Sequence, residues 1–376
     1  MEVQVLQSSL VQAVAKVRPF ADQRYTLPSI RGLRLRVEGT SFTITATDLD
    51  TWAQVEVGCR VVGNSDGAVV VEAASFAKVV TTLPKALLSL EGNKDGLRIS
   101  WAGGSATIPY LCPPDDFPPL PKEWEGENGS EIMIKAQEFR QAVTQVSICA
   151  ATSDNRPVLR AINWRSSIES TGSCLTLAAT DGFRLAVKDV PYLGQYDRDT
   201  QVNLPAVALQ KLARVLGSKE ENFIRVHPGK AMAWFSVPHF RAGVRYMLGS
   251  FPNYPLLIPA IGVEVRVVRV DLLACLKRVA EVARQGSGII RLVKQGELLT
   301  VSAVVDDAHL EEKLEATGDA TKTAANGRYL VDALSVMQGD VVTLMIPDTI
   351  IHPFMISDTG GLRHTIMPRF VQWGSE

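Results

Sequence analysis

Leu175-Thr-Leu-Ala-Ala-Thr-Asp-Gly-Phe-Arg-Leu-Ala-Val187 is the stretch on which the reading of the whole chain turns. Leu175, Leu177 and Ala179 alternate with Thr176 and Ala178, the two-residue period of a strand with one buried face. Asp181-Gly182 interrupts the run as a tight turn, because glycine reaches positive φ without a steric cost. Phe183 to Val187 resumes an extended pattern, so the stretch predicts a β-hairpin. Phe42-Thr-Ile-Thr-Ala-Thr-Asp-Leu-Asp-Thr-Trp-Ala53 precedes it by 133 residues with the same pattern. Leu299-Thr-Val-Ser-Ala-Val-Val-Asp-Asp307 follows as a weaker third copy, offset by about 124.

The flanking segments repeat too. Ser9–Val17, Glu138–Val146 and Asp271–Val279 read as amphipathic helices in which Leu10, Phe139 and Leu272 correspond. A second helix follows each hairpin, at Ala73–Leu83, Pro205–Leu216 and Tyr329–Met337, with Phe76, Leu209 and Leu334 in register. Alternating segments broken by turn residues close each copy, over Leu88–Pro109, Ile224–Met247 and Val341–Met367. Helices and hairpins recur in any α+β protein. Here four element types keep one order at near-constant spacing, which argues for three tandem units. The proline-rich Pro113–Pro121, the polar run Glu125–Ser130 and Phe251–Pro259 separate them. The expected domains are 1–126, 127–254 and 255–376.

Composition narrows the function. The chain has 376 residues, 46% of them hydrophobic and 21% charged, as in ordinary globular proteins. Its apolar runs are too short to cross a bilayer, and Met1-Glu-Val-Gln-Val lacks the basic and apolar regions of an export signal. Five scattered cysteines without a Cys-x-x-Cys pair favour reduced, mostly buried thiols, so a cytoplasmic location without membrane contact is expected. A net charge of −1 rules out polyanion binding by bulk charge; cations would have to be sorted onto one face. No phosphate-binding Gly-x-x-x-x-Gly-Lys-Ser/Thr loop, metal-ligand His spacing or Gly-x-Ser-x-Gly elbow occurs. Asp306-Asp307 and Asp115-Asp116 are imaginable as carboxylate pairs, but neighbours on a strand point to opposite faces, which argues against Asp306 and Asp307 serving one site, and solvated turns account better for both. No catalytic residue, metal or cofactor is expected.

Ala179-Thr-Asp-Gly-Phe-Arg-Leu185, Phe251-Pro-Asn-Tyr254, Tyr329-Leu-Val-Asp-Ala-Leu334 and Met367-Pro368 fall in one register, with Leu27–Leu33 and Asp116–Leu120 beside them. Together they resemble the bacterial sliding clamp family, the beta subunit of DNA polymerase III, across all three units. The resemblance implies an α+β chain of three tandem DNA-clamp domains, paired head to tail as a homodimer and closed into a ring. Helices would lie inside and antiparallel sheets outside. It further implies a processivity factor that encircles double-stranded DNA, is loaded by a separate ATP-dependent clamp loader, and tethers the DNA polymerase III alpha subunit and other proteins carrying a clamp-binding motif. The alternative is a clamp-like paralogue serving a narrower repair or replication partner.

Two sets of residues follow from the resemblance. The inward helices would carry Lys16, Arg18, Lys78, Arg140, Lys211, Arg214, Lys277, Arg278 and Arg284, and loops would add Arg24 and Arg156, all meeting phosphate without reading sequence. Surface helices normally carry Lys and Arg, so it is the sorting of the group that matters. A hydrophobic cleft for short peptides would be lined by Leu159, Thr180, Gly182, Phe183, Arg184 and Leu185. The linker would add Pro252, Leu256 and Leu257, and the last domain Ile351, Pro353, Ile366, Met367, Pro368 and Arg369. Aliphatic walls with a flexible Met suit apolar peptide anchors. Phe183 stands where the family often has His, Pro255-Leu256 replaces more polar residues, and Val371–Glu376 extends past the usual end, where it could partly cover the cleft.

Overall fold

The computed structural model describes residues 1–21, 27–62, 66–121, 131–153, 155–169, 172–194, 201–216, 223–349 and 351–373. Arg24 and the run 125–130 lie outside them. Among the described residues there are six α-helices: α1 (Gln7–Val17), α2 (Ala73–Thr82), α3 (Ala136–Ser147), α4 (Ala206–Leu216), α5 (Arg269–Ala283) and α6 (Gly327–Val336). Each begins at the residue directly after a strand ends, at Leu6, Glu72, Lys135, Pro205, Val268 and Asn326. The side chains of Glu72 and Asn326 accept from the N–H groups of Ser75 and Arg328, capping α2 and α6 without a connecting loop. The helices bury the periodic stripe read from the sequence. In α1 it is Gln7, Leu10, Ala13, Val14 and Val17; in α5 it is Leu272, Cys275, Leu276, Val279 and Ala283.

By its internal contacts the chain divides into two compact units. One holds Met1–Gln137, Leu193–Tyr196 and Lys211–Tyr246; the other holds Glu138–Tyr192, Asp197–Gln210 and Met247–Glu376. The first contains two antiparallel sheets. A five-stranded sheet runs Cys59–Val61, Glu2–Leu6, Leu87–Asn93, Gly96–Trp101, Gly104–Ile108. A ten-stranded sheet runs Tyr110–Cys112, Gly67–Glu72, Gly32–Glu38, Ser41–Thr47, Thr51–Glu56, Phe240–Arg245, Met232–Val237, Phe223–Pro228, Ile132–Lys135, Leu193–Gly194. The second unit holds a twelve-stranded sheet in the order Gln201–Pro205, Ala161–Glu169, Gly172–Thr180, Arg184–Pro191, Leu362–Ile366, Phe354–Asp358, Val341–Ile346, Val263–Val268, Ala308–Thr317, Leu298–Val305, Ile289–Gln295, Thr321–Asn326.

These orders contain a rule. In the first unit the second hairpin strand of the first repeat, Thr51–Glu56, pairs with the last strand of the second repeat, Phe240–Arg245. In the second unit the second hairpin strand of the second repeat, Arg184–Pro191, pairs with the last strand of the third, Leu362–Ile366. Each junction joins five residue pairs. The contact boundary therefore passes through the middle repeat, whose strands are divided between two sheets.

The hairpins repeat down to single hydrogen bonds. Thr180 Oγ1 donates to the Arg184 carbonyl at 2.6 Å and accepts from Gly182 N–H, while Asp181 Oδ1 accepts from Arg184 N–H. In the first repeat Thr47 Oγ1 donates to the Thr51 carbonyl at 2.7 Å and accepts from Leu49 N–H, while Asp48 Oδ1 accepts from Thr51 N–H. Gly182 has φ +93°, and Leu49 takes the same left-handed region at +75°. The turn is longer than the two-residue form expected, since Thr180 pairs with Leu185 across four residues. The third copy differs: Val305 pairs with Ala308 around Asp306-Asp307, a solvated two-residue turn with Asp306 at φ +48°.

Two expectations need correction. The strand Gly172–Thr180 is not half-buried at its end, because Ala178, Ala179 and Thr180 are all buried. Ala178 belongs to a second small core with Leu185, Val187, Phe251 and Tyr254. The segment 251–254 thus covers the strand's other face and is packed structure as well as linker. The thiols are also less buried than expected, with Cys149 and Cys275 inside and Cys59, Cys112 and Cys174 half-buried, none of the five in a disulfide.

Candidate functional site

In the second unit the turn after Thr180, the segment 251–257 and the last two strands enclose an apolar groove of about 230 Å³. Its lining brings together Leu159, Thr180, Gly182, Phe183, Arg184, Leu185, Pro252, Leu257, Pro353 and Met367, ten of the residues singled out from the sequence. Leu159, Thr180 and Leu185 form its buried floor, while Phe183, Leu257 and Met367 stand exposed at the mouth. A hydrogen bond joins the walls: Met367 N–H donates to the Phe183 carbonyl at 2.9 Å. Leu256 and Ile351, 80% and 73% exposed, stand outside the lining, as do Pro368 and Arg369. Ile366 is fully buried core, paired with Arg184 and Phe354 in the sheet.

Two lining residues were not assigned to the groove from the sequence. Thr365, only 3% exposed, places a hydroxyl without a protein partner at the groove's edge. Its position in the last strand, two before Met367, was the signal for it. Arg156, expected to face DNA, also lines the groove, its guanidinium beside Gly182.

Arg184 is turned inward. Its side chain is only 9% exposed and donates to Asp181 at 3.0 Å, to Asp332 of α6 at 2.7 Å and to the Ile148 carbonyl past α3 at 2.7 Å. The guanidinium also covers the Tyr329 ring at 4.5 Å. Arg184 lines the groove, and its charge ties the turn to α6. Nearby, Cys149 Sγ lies 3.6 Å from His364 Nδ1, with the geometry of a nucleophile and base. Electrostatics argues against that role. Burial pushes the Cys149 thiol up to about 12. Burial, assisted by repulsion from Arg184, pushes His364 down to about 3. Both are therefore neutral near pH 7 and closed to solvent, whereas a nucleophilic thiol needs a depressed pKa. Among the described residues no cluster of three or more His, Cys, Asp or Glu could hold a metal ion. Among the described residues no helix is long and apolar enough to cross a membrane.

The helix cations fall into two groups. Arg18, Lys78, Arg140, Arg214 and Lys277 are exposed, and Lys16 is half-buried. Three others are engaged with carboxylates: Lys211 with Asp48 at 3.0 Å, Arg278 with Glu312 at 2.6 Å, and Arg284 with Glu281. Lys211 also lies over the Phe20 ring. Beyond the groove, Val371–Trp373 does not enter it; Trp373 instead lies against Lys322 and Arg291.

Fold and groove together define a three-domain α+β clamp. The fold matches the DNA polymerase III beta subunit of Thermotoga maritima with a TM-score of 0.89 at 22% identity, covering 99% of this chain and 100% of that one. It matches the DNA polymerase sliding clamp of Bacillus subtilis equally well, with a TM-score of 0.89 at 21% identity and the same coverage. In sequence the chain is 28% identical to the beta sliding clamp of Streptomyces coelicolor over 352 residues, 92% of this chain and 90% of the relative. It is 25% identical to that of B. subtilis over 371 residues, 95% of each. The family models for the N-terminal, central and C-terminal domains of the DNA polymerase III beta subunit match residues 1–121, 133–253 and 257–369. The chain belongs to the DNA polymerase III beta-subunit family.

Proposed function

We propose that two copies of this chain, each of domains 1–126, 127–254 and 255–376, close into a ring around duplex DNA and serve as a sliding clamp. The observation that carries this reading is the junction rule. Within the chain, a second hairpin strand meets a last strand at two junctions. That leaves one of each type over. Gly104–Ile108, the first repeat's counterpart of Phe240–Arg245 and Leu362–Ile366, ends the five-stranded sheet. In Ala308–Thr317, the hairpin strand of the third repeat, only Ala316 and Thr317 meet a second neighbour, the strand Val263–Val268, among the described residues. Matching these two edges between copies repeats the internal junction, and two copies leave neither of these two edges unmatched.

The exposed helix cations would then meet phosphate, and the groove would take apolar peptide segments from the DNA polymerase III alpha subunit and from other partners. Such contacts are sequence-independent, which lets a ring slide. The reading assigns the chain no reaction of its own, a separate ATP-dependent loader and a cytoplasmic location. The test is retention on nicked circular plasmid, with a bacterial loader and ATP, before and after the plasmid is cut once. A ring stays on the circle and runs off the linear form; equal retention on both would refute encirclement.

A further inference from the structure

Past Pro368 the chain leaves the groove and binds along the open edge of the strand Thr321–Asn326, the last in its sheet. Arg369 N–H donates to the Ala324 carbonyl at 2.7 Å. Arg291, paired across the sheet with Ala324, donates to the Gln372 carbonyl at 3.2 Å. The Trp373 ring faces the Lys322 ammonium at 5.2 Å and the Arg291 guanidinium at 6.0 Å. Toward the groove the same segment is tied to Phe183: Met367 N–H donates to its carbonyl, and the Arg369 guanidinium lies 5.9 Å from its ring.

We propose that Arg369–Trp373 is a strap that positions the outer wall of the groove, with Trp373 its anchor. The proposal rests on the groove being a peptide site. Phe183 and Met367 are exposed side chains, the latter a flexible one, and a mobile wall loses affinity through the entropy of ordering it on binding. Pinning the segment to a strand edge bears that cost in advance. A cationic pair holding an aromatic ring suits an anchor that must stay put in water, where a solely apolar contact would leave two charges beside it.

The test uses the full chain, its Trp373→Ala and Trp373→Phe variants, and a fluorescein-labelled peptide carrying two Leu and one Phe as apolar anchors. Peptide affinity is read by anisotropy and the Arg369 amide by hydrogen exchange. Trp373→Ala should speed exchange at Arg369 and weaken peptide binding about three- to tenfold, with Trp373→Phe restoring most of both. Unchanged exchange would show that Trp373 anchors nothing. Faster exchange with unchanged affinity would break the link to the groove, and tighter binding would make the segment a plug. A wild-type chain that binds no such peptide overturns the groove reading itself.

Discussion

Arg184 and His364 illustrate how one buried charge governs its neighbours. Arg184 meets three acceptors, two carboxylates and a carbonyl, so its charge is matched inside the fold. His364 has no counter-charge: Arg184 adds repulsion to the effect of burial, and a hydrogen bond with the Gln145 backbone offsets only part of it. The histidine is about 3 when folded against an ordinary 6.5. Between those values the unfolded chain binds a proton that the folded chain refuses. The stability associated with this group is therefore present above pH 6.5 and lost as pH falls toward 3, at about 1.4 kcal/mol per pH unit. Unfolding free energies of the wild type and His364→Gln at pH 7.5 and pH 5 should differ in their pH response by about 2 kcal/mol. Equal losses would show that His364 takes up its proton in the folded state.

At the level of the element, the turn shared by the first two repeats is the sharpest sign of their common origin in one pattern. Left-handed backbone costs a non-glycine residue about 1–2 kcal/mol, and glycine's extra chain entropy returns about 0.5–1 of it. Leu49→Gly should therefore raise stability by up to about 1 kcal/mol in chemical denaturation, and a loss would mean that the Leu49 side chain contributes packing that its 41% exposure does not suggest. Helices and hairpins were legible in the sequence because both report a local period, and α1, α3 and α5 lie where that period put them. The groove's pieces were legible only through resemblance, since Thr180, Pro252 and Met367 share no local signal. What stayed hidden was long-range. Cys149 and His364 are 215 positions apart, Arg184 and Asp332 148 apart, and no periodicity links such pairs. The same holds for Lys211, whose helical position says cation but whose partner, Asp48, lies in another repeat. The second face of Ala178 was missed because its cover, Phe251 and Tyr254, sits in a segment that reads as a linker.

For the whole molecule the decisive quantity is the number of strand edges. Successive amides of a strand point to opposite sides, so of Ala106→Pro and Thr107→Pro one removes an N–H from the outer edge of Gly104–Ile108 and the other breaks its pairing with Gly96–Trp101. One of the two should yield a folded chain with half the solution mass of the wild type, measured by light scattering. A wild type that is already monomeric at micromolar concentration, or two proline variants that both keep its mass, would exclude this edge from the assembly. The internal junctions carry a mechanical corollary. Each is a ladder stitched across a repeat boundary, independent of the peptide bond that happens to connect the same two repeats. A backbone nicked by protease between residues 121 and 131 would thus remain one particle, its fragments buttoned together by Thr51–Glu56 and Phe240–Arg245.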